Sequence, residues 1–139
     1  MISGLLLATV VAASSPVTVP MVHTDAATTA FMQCVAHRES RGVPTAVSQS
    51  GRHRGKFQVT DAMRVGMSWN VLPWLKTWHH NASRYAAQLR HTPMNRWPAS
   101  VQDAAFVLTL HHNGQRWVGA KHWYLAGSYC NSLIPGWQR

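Results

Sequence analysis

Acidic residues are scarce in this chain. Its 139 residues include 13 Lys and Arg but only 4 Asp and Glu. The four acids are Asp25, Glu39, Asp61 and Asp103, so there is a single glutamate. A site made of clustered carboxylates, such as an EF-hand or a two-metal nuclease, is excluded by supply. Glycine-rich phosphate loops and dinucleotide fingerprints are also missing. Zinc has little to hold it: Cys34 and Cys130 stand far apart, no HExxH occurs, and adjacent pairs such as His79-His80 and His111-His112 cannot turn both rings to one helix face. No metal and no cofactor is expected. No apolar run reaches the ~20 residues that span a bilayer.

Positive charge is plentiful and unevenly placed. The formal net charge is +9, and no Lys or Arg precedes Arg38. Such a surface suits an anionic partner, whether nucleic acid, a membrane surface or acidic cell-wall polymer. With 46% hydrophobic residues and seven tryptophans, the chain has the material for one folded domain. Residues 1–22 read as a leader and short linker, and 23–139 as the domain. Gly4 to Ala13 is an apolar run of signal-peptide length, with Val11-Ala12-Ala13 as a small-residue cleavage site. The start lacks Lys and Arg, and a buried first helix or strand is the alternative. Export and the even pair of cysteines together favour a Cys34–Cys130 disulfide, which would close most of the domain into one loop. Two separate buried thiols are the alternative.

The fold class expected is mainly α, with a small β insertion after the first helix. Asp25 to Arg41 has the pattern of a helix, with Thr24 or Asp25 as its cap and Gly42 and Pro44 as its stop. Phe31, Cys34 and Val35 share its buried face, and Glu39 projects from the edge of that face in the last turn. From Val43 to Val59 the texture is polar, with a turn at Ser50-Gly51 and scattered β-branched residues, as in a loop or short hairpin. Helical patterns resume over Thr60–Gly66, Lys76–Arg90 and Ala99–His112, with joints at Pro73, Pro93, Pro98 and Gly114.

The chemistry concentrates in Cys34-Val-Ala-His-Arg-Glu39-Ser40-Arg-Gly42 and the later Gly55-Lys56-Phe57-Gln58-Val59. Gln102-Asp103-Ala-Ala, Asn113-Gly114 with Trp117, and a closing cysteine follow in order. This set resembles the transglycosylase-like domain of the lysozyme superfamily, the group of soluble lytic transglycosylases and resuscitation-promoting-factor-type wall enzymes. The resemblance covers about residues 31–130. The chain departs from the pattern at Lys56 and Val59, at Met63, where a tryptophan is frequent, and at Arg41, a place often held by glycine.

The resemblance implies a lysozyme-like helical domain that cleaves the β-1,4 bond between N-acetylmuramic acid and N-acetylglucosamine in peptidoglycan. Glu39 would be the catalytic acid, with Gln58, Ser40 and Phe57 at the substrate groove. A half-buried glutamate at a helix end also suits a proton donor on physical grounds. Asp61 reads as a first-turn helix residue, Asp103 as a structural partner and Asp25 as a cap, which leaves one carboxylate to act as acid and then base. Trp69 or Trp74 are candidates to stack on sugar. The expected partners are glycan strands and anionic wall polymer, with no nucleic acid, no stable membrane span after processing and a monomeric state. The expected location is secreted or at the cell wall, from a cellular or a phage source. Rival readings are a non-catalytic wall-binding or virion module of the same fold, and a small nucleic-acid binder built on Arg52-His53-Arg54-Gly55-Lys56.

Overall fold

Helices supply most of the architecture in the computed structural model, which describes residues 18–137. The leader-like run and its cleavage motif lie outside the described residues. Helix α1 spans Ala26–Ser40, and its first free N–H groups are met by Asp25, whose Oδ1 accepts the Thr28 N–H at 2.8 Å. Hydrogen bonds from Thr28 and the neighbouring Arg116 hold the Asp25 carboxyl well below the usual carboxylate range. The helix ends at Arg41, which adopts φ +55° and donates its N–H to His37 O. That left-handed turn is one that glycine would adopt more easily than arginine.

The expected β insertion takes a different form. Residues 43–60 make a chain of turns pinned by isolated bridges, Val47 with Arg54 and Arg54 with Val59, and no strand ladder develops. Thr60 then caps α2, Asp61–Asn70, and Asp61 sits in its first turn beside Arg64, as the sequence suggested. Helix α3 is the single turn Leu72–Leu75. Pro73 lies in its first turn, where proline is tolerated, so this residue starts a helix and does not merely separate two. The helical pattern expected from Lys76 is realised only from Ala82, where α4 runs to His91. Helix α5, Ala99–Leu110, is the central element, buried along most of its length. Three short 3-10 turns, Met94–Arg96, Val118–Trp123 and Tyr129–Leu133, complete the described chain.

Helix α2 packs on α4 and α5, while α1 packs on α5 and on the Tyr129–Leu133 turn. Between them the core is aromatic: Phe106 of α5 stacks on Phe57 at 4.3 Å and meets Trp123 at 4.1 Å, and Phe31 of α1 lies 6.1 Å away. Val19 and Val22 pack against this core, so the folded unit reaches back ahead of residue 23. Gly119 marks the closest approach. A Cβ there would stand 2.1 Å from Thr109 O, so the Val118–Trp123 turn rests directly on the backbone of α5.

Two links tie the termini of the domain together. Cys34 and Cys130 form a disulfide, with Cα atoms 5.6 Å apart across a sequence separation of 96. His111 joins α1 to the following turn: its Nδ1 accepts the Trp117 N–H at 3.0 Å, which leaves the proton on Nε2 to donate to Thr28 Oγ1 at 2.8 Å. Only a neutral ring can do both. Burial, helped by the Arg116 charge, accordingly holds the His111 pKa below its ordinary value, with Asp25 opposing weakly.

Replacing both cysteines with alanine is expected to lower the unfolding free energy by about 2–5 kcal/mol in urea titrations. For His111 the unfolded ring binds a proton first as pH falls below ~6.5, so its contribution is complete above that pH and declines below it. Thermal midpoints should therefore drop from pH 7.5 to 5.5, and His111→Ala should lower the midpoint at pH 7.5 while shrinking that drop.

Candidate active site

Glu39 occupies the final turn of α1 and is held by the residue before it. Arg38 Nε and Nη2 donate to Glu39 Oε1 at 2.9 and 2.6 Å. The same guanidinium donates to Trp123 O at 2.7 Å and to Ser128 Oγ at 3.1 Å. Arg38 thus fastens the carboxylate to two segments of the C-terminal region. Oε2 receives no donor from the described residues, and the Glu39 side chain stays 28% exposed.

Across from Glu39 lies the turn segment 53–60. Together they bound a cleft of about 310 Å³, within the ~300–1,000 Å³ usual for ligand sites. Arg38, Glu39, Gln58, His122, Trp123 and Tyr124 all line it. No other carboxylate of the described residues reaches it. Asp61 is turned outward to Arg64, Asp103 pairs with Lys56 at 2.8 Å, and Asp25 caps α1. His122 stands on the cleft wall, where desolvation, with Lys121 beside it, holds its pKa below the ordinary value and favours the neutral ring.

The sequence-derived residues have separate fates. Gln58 lines the cleft and carries φ +49°, a left-handed backbone that glycine would adopt more easily. Its Nε2 donates to Gly55 O at 3.0 Å, leaving Oε1 without a donor among the described residues. Ser40 lies behind the cleft: its hydroxyl donates to Lys56 O at 2.7 Å and accepts the Val43 N–H at 3.1 Å, so it fixes the helix end against the turns. Phe57 is only 2% exposed and belongs to the aromatic core, which makes it the floor under the cleft rather than a free contact face. Lys56 leaves the basic run and reaches to α5. Trp69 and Trp74 are not cleft residues: Trp69 lies under the Arg90 guanidinium at 3.8 Å, and Trp74 packs on Trp78. Among the described residues no three His, Cys, Asp or Glu side chains converge as a metal site would need.

Arg38, His122, Trp123 and Tyr124 were not anticipated as site residues. A glutamate paired with Arg38 or Arg41 is the structural alternative to a catalytic Glu39, and the pair forms with Arg38. Comparison of the chain with protein-family models, curated proteins and solved structures finds no match.

Gln58→Gly should remove a left-handed cost of about 1–2 kcal/mol against the loss of one side-chain hydrogen bond of about 1 kcal/mol. Its thermal midpoint is expected at or slightly above that of the unsubstituted protein, whereas Gln58→Val should fall clearly below it.

Proposed function

We propose that the chain is an exported, lysozyme-like wall enzyme. It cleaves the β-1,4 bond between N-acetylmuramic acid and N-acetylglucosamine as a lytic transglycosylase or muramidase. The observation that carries this reading is that Glu39 is the one carboxylate in the cleft, with Oε1 clamped and Oε2 open. The ordered resemblance around Glu39-Ser40 and Gln58 supports it, and so does the disulfide, which suits an oxidising compartment outside the cytosol. No helix among the described residues is long and apolar enough to cross a membrane.

Protonated on Oε2, Glu39 would deliver its proton to the glycosidic oxygen as the bond to the anomeric carbon lengthens. Arg38 would hold Oε1 throughout, fixing the carboxyl plane and balancing the charge that the carboxylate acquires. With no second acid at the cleft, the positive charge growing at the anomeric carbon would be met by the substrate's own N-acetyl oxygen. Glu39 would then take the proton from the attacking group, the substrate 6-hydroxyl or a water. Gln58 Oε1 would accept a hydrogen bond from a bound sugar. The surrounding positive charge would retain the acidic peptides and polymers of the wall.

The Arg38–Glu39 pair also gives the non-catalytic module its one specific support, because a clamped glutamate can be purely structural. Digestion of purified peptidoglycan, followed by mass spectrometry of the products, separates the two. Wild-type protein should release anhydro-muramyl or reducing-end fragments, and Glu39→Gln should reduce the rate by about a hundredfold or more. Wall retention without any product would mean a binding module, and equal cleavage by Glu39→Gln would remove Glu39 from its role. Salt-sensitive DNA retention without wall activity would favour the nucleic-acid reading.

A further inference from the structure

Beyond the Glu39 cleft the surface carries a second feature that the reaction does not use. Tyr124, Tyr129 and Trp137 are exposed by 50, 72 and 40%, an unusual amount of open aromatic surface for a small domain. Tyr124 and Trp137 lie with ring centroids 5.4 Å apart. Tyr124, Tyr129 and Trp137 border a cavity of about 550 Å³ with Ser128, Asn131 and Ser132. Tyr124 lines both this cavity and the Glu39 cleft, so the two spaces share a wall. Asn131, only 5% exposed, contributes to its floor; its Nδ2 donates to Leu125 O, and its Oδ1 has no protein donor.

We propose that this cavity is a binding site for a neutral pyranose unit of a β-linked glycan, engaged by strands that run past Tyr124 out of the cleft. Flat aromatic faces edged by hydroxyls and an amide match a sugar ring, which offers an apolar C–H face and a polar rim. Among the described residues its lining includes no Lys, Arg, Asp or Glu, although the protein carries 13 Lys and Arg. An uncharged sugar ring matches this lining.

The site is also pre-organised. Cys130 follows Tyr129 directly and is bonded to Cys34 of α1. Ser128 Oγ accepts from Arg38 Nη1 at 3.1 Å and from Cys130 N at 3.2 Å. The cavity wall is therefore attached to the helix that carries Glu39, which fixes its register with the cleft and reduces the ordering lost on binding.

The identity of the polymer rests on the wall-enzyme reading, but the site can be tested without cleavage. Glu39→Gln protein is titrated with β-1,4-linked N-acetylglucosamine disaccharide and hexasaccharide, by calorimetry and by following the Trp137 indole N–H signal in NMR. The hexasaccharide should bind more tightly and shift that signal. Tyr129→Ala combined with Trp137→Ala should weaken hexasaccharide binding by about tenfold or more and erase the advantage of length. An unmoved indole signal, or equal binding by the double variant, overturns the proposal. Self-association that the double variant abolishes, with no glycan effect, overturns it too and makes the patch an interface between copies. If the platform binds while Glu39→Gln digests wall as fast as wild type, the catalytic assignment falls and the glycan site stands.

Discussion

The side chain of Gln102 is the constraint on which the cleft depends. It is completely buried in α5, and its amide is fully used: Oε1 accepts the Lys56 N–H at 2.8 Å, while Nε2 donates to Pro44 O at 3.1 Å and Trp97 O at 3.0 Å. The turns of 43–60 pair many of their own backbone groups, such as the Gly55 N–H with Ala46 O at 2.8 Å, but the Lys56 N–H and the Pro44 carbonyl meet their partner in Gln102. Gln102 supplies the missing partners from the centre of the domain. Gly55 completes the fit. At φ +80° it presses so close that a Cβ would lie 2.7 Å from Gln102 Oε1 and 2.6 Å from Met94 Cγ. The positions of Phe57 below the cleft and Gln58 on its wall follow from that contact.

The opposite wall is organised by charge. Arg38 engages Glu39, Trp123 O and Ser128 Oγ at once, and the disulfide four residues earlier on α1 holds the same C-terminal region. A guanidinium with several fixed partners has little freedom left, so Glu39 inherits the rigidity of a covalently closed frame. In a domain with four acids, each one is engaged: Asp25 with a helix start and Arg116, Asp61 with Arg64, Asp103 with Lys56 and Glu39 with Arg38. Most of the excess positive charge therefore remains available to the surroundings.

Much of this was legible beforehand where a local rule governs the outcome. The start of α1 beside Thr24 and Asp25, its stop before Gly42 and the start of α5 at Ala99 follow from residues within a turn of each boundary. The pairing of Cys34 with Cys130 followed from having only two cysteines to pair. The unforeseen parts are those that distant contacts decide. Residues 76–81 have a helical texture, yet the Pro73 turn and the packing of Trp74 against Trp78 spend them on a corner. Phe57 lines the cleft, as its motif suggests, but the stacking of its ring among Phe106 and Trp123 makes it part of the core as well. The task of Gln102 is decided by segments outside its helix, the Lys56 N–H and the Pro44 and Trp97 carbonyls that its amide meets.

Gly119 bears on how such a cleft can change. Its Cα lies against the α5 main chain, and any larger residue would have to push Thr109 O aside. The turn is anchored there by backbone contact and further on by the buried Trp123 ring against Phe106, while Lys121 and His122 remain exposed and Tyr124 half-exposed. A wall fastened in this way can exchange its outward side chains without moving its path. The outward chemistry of this wall and its path are written largely in different residues of the same short turn, so one can drift while the other stays fixed.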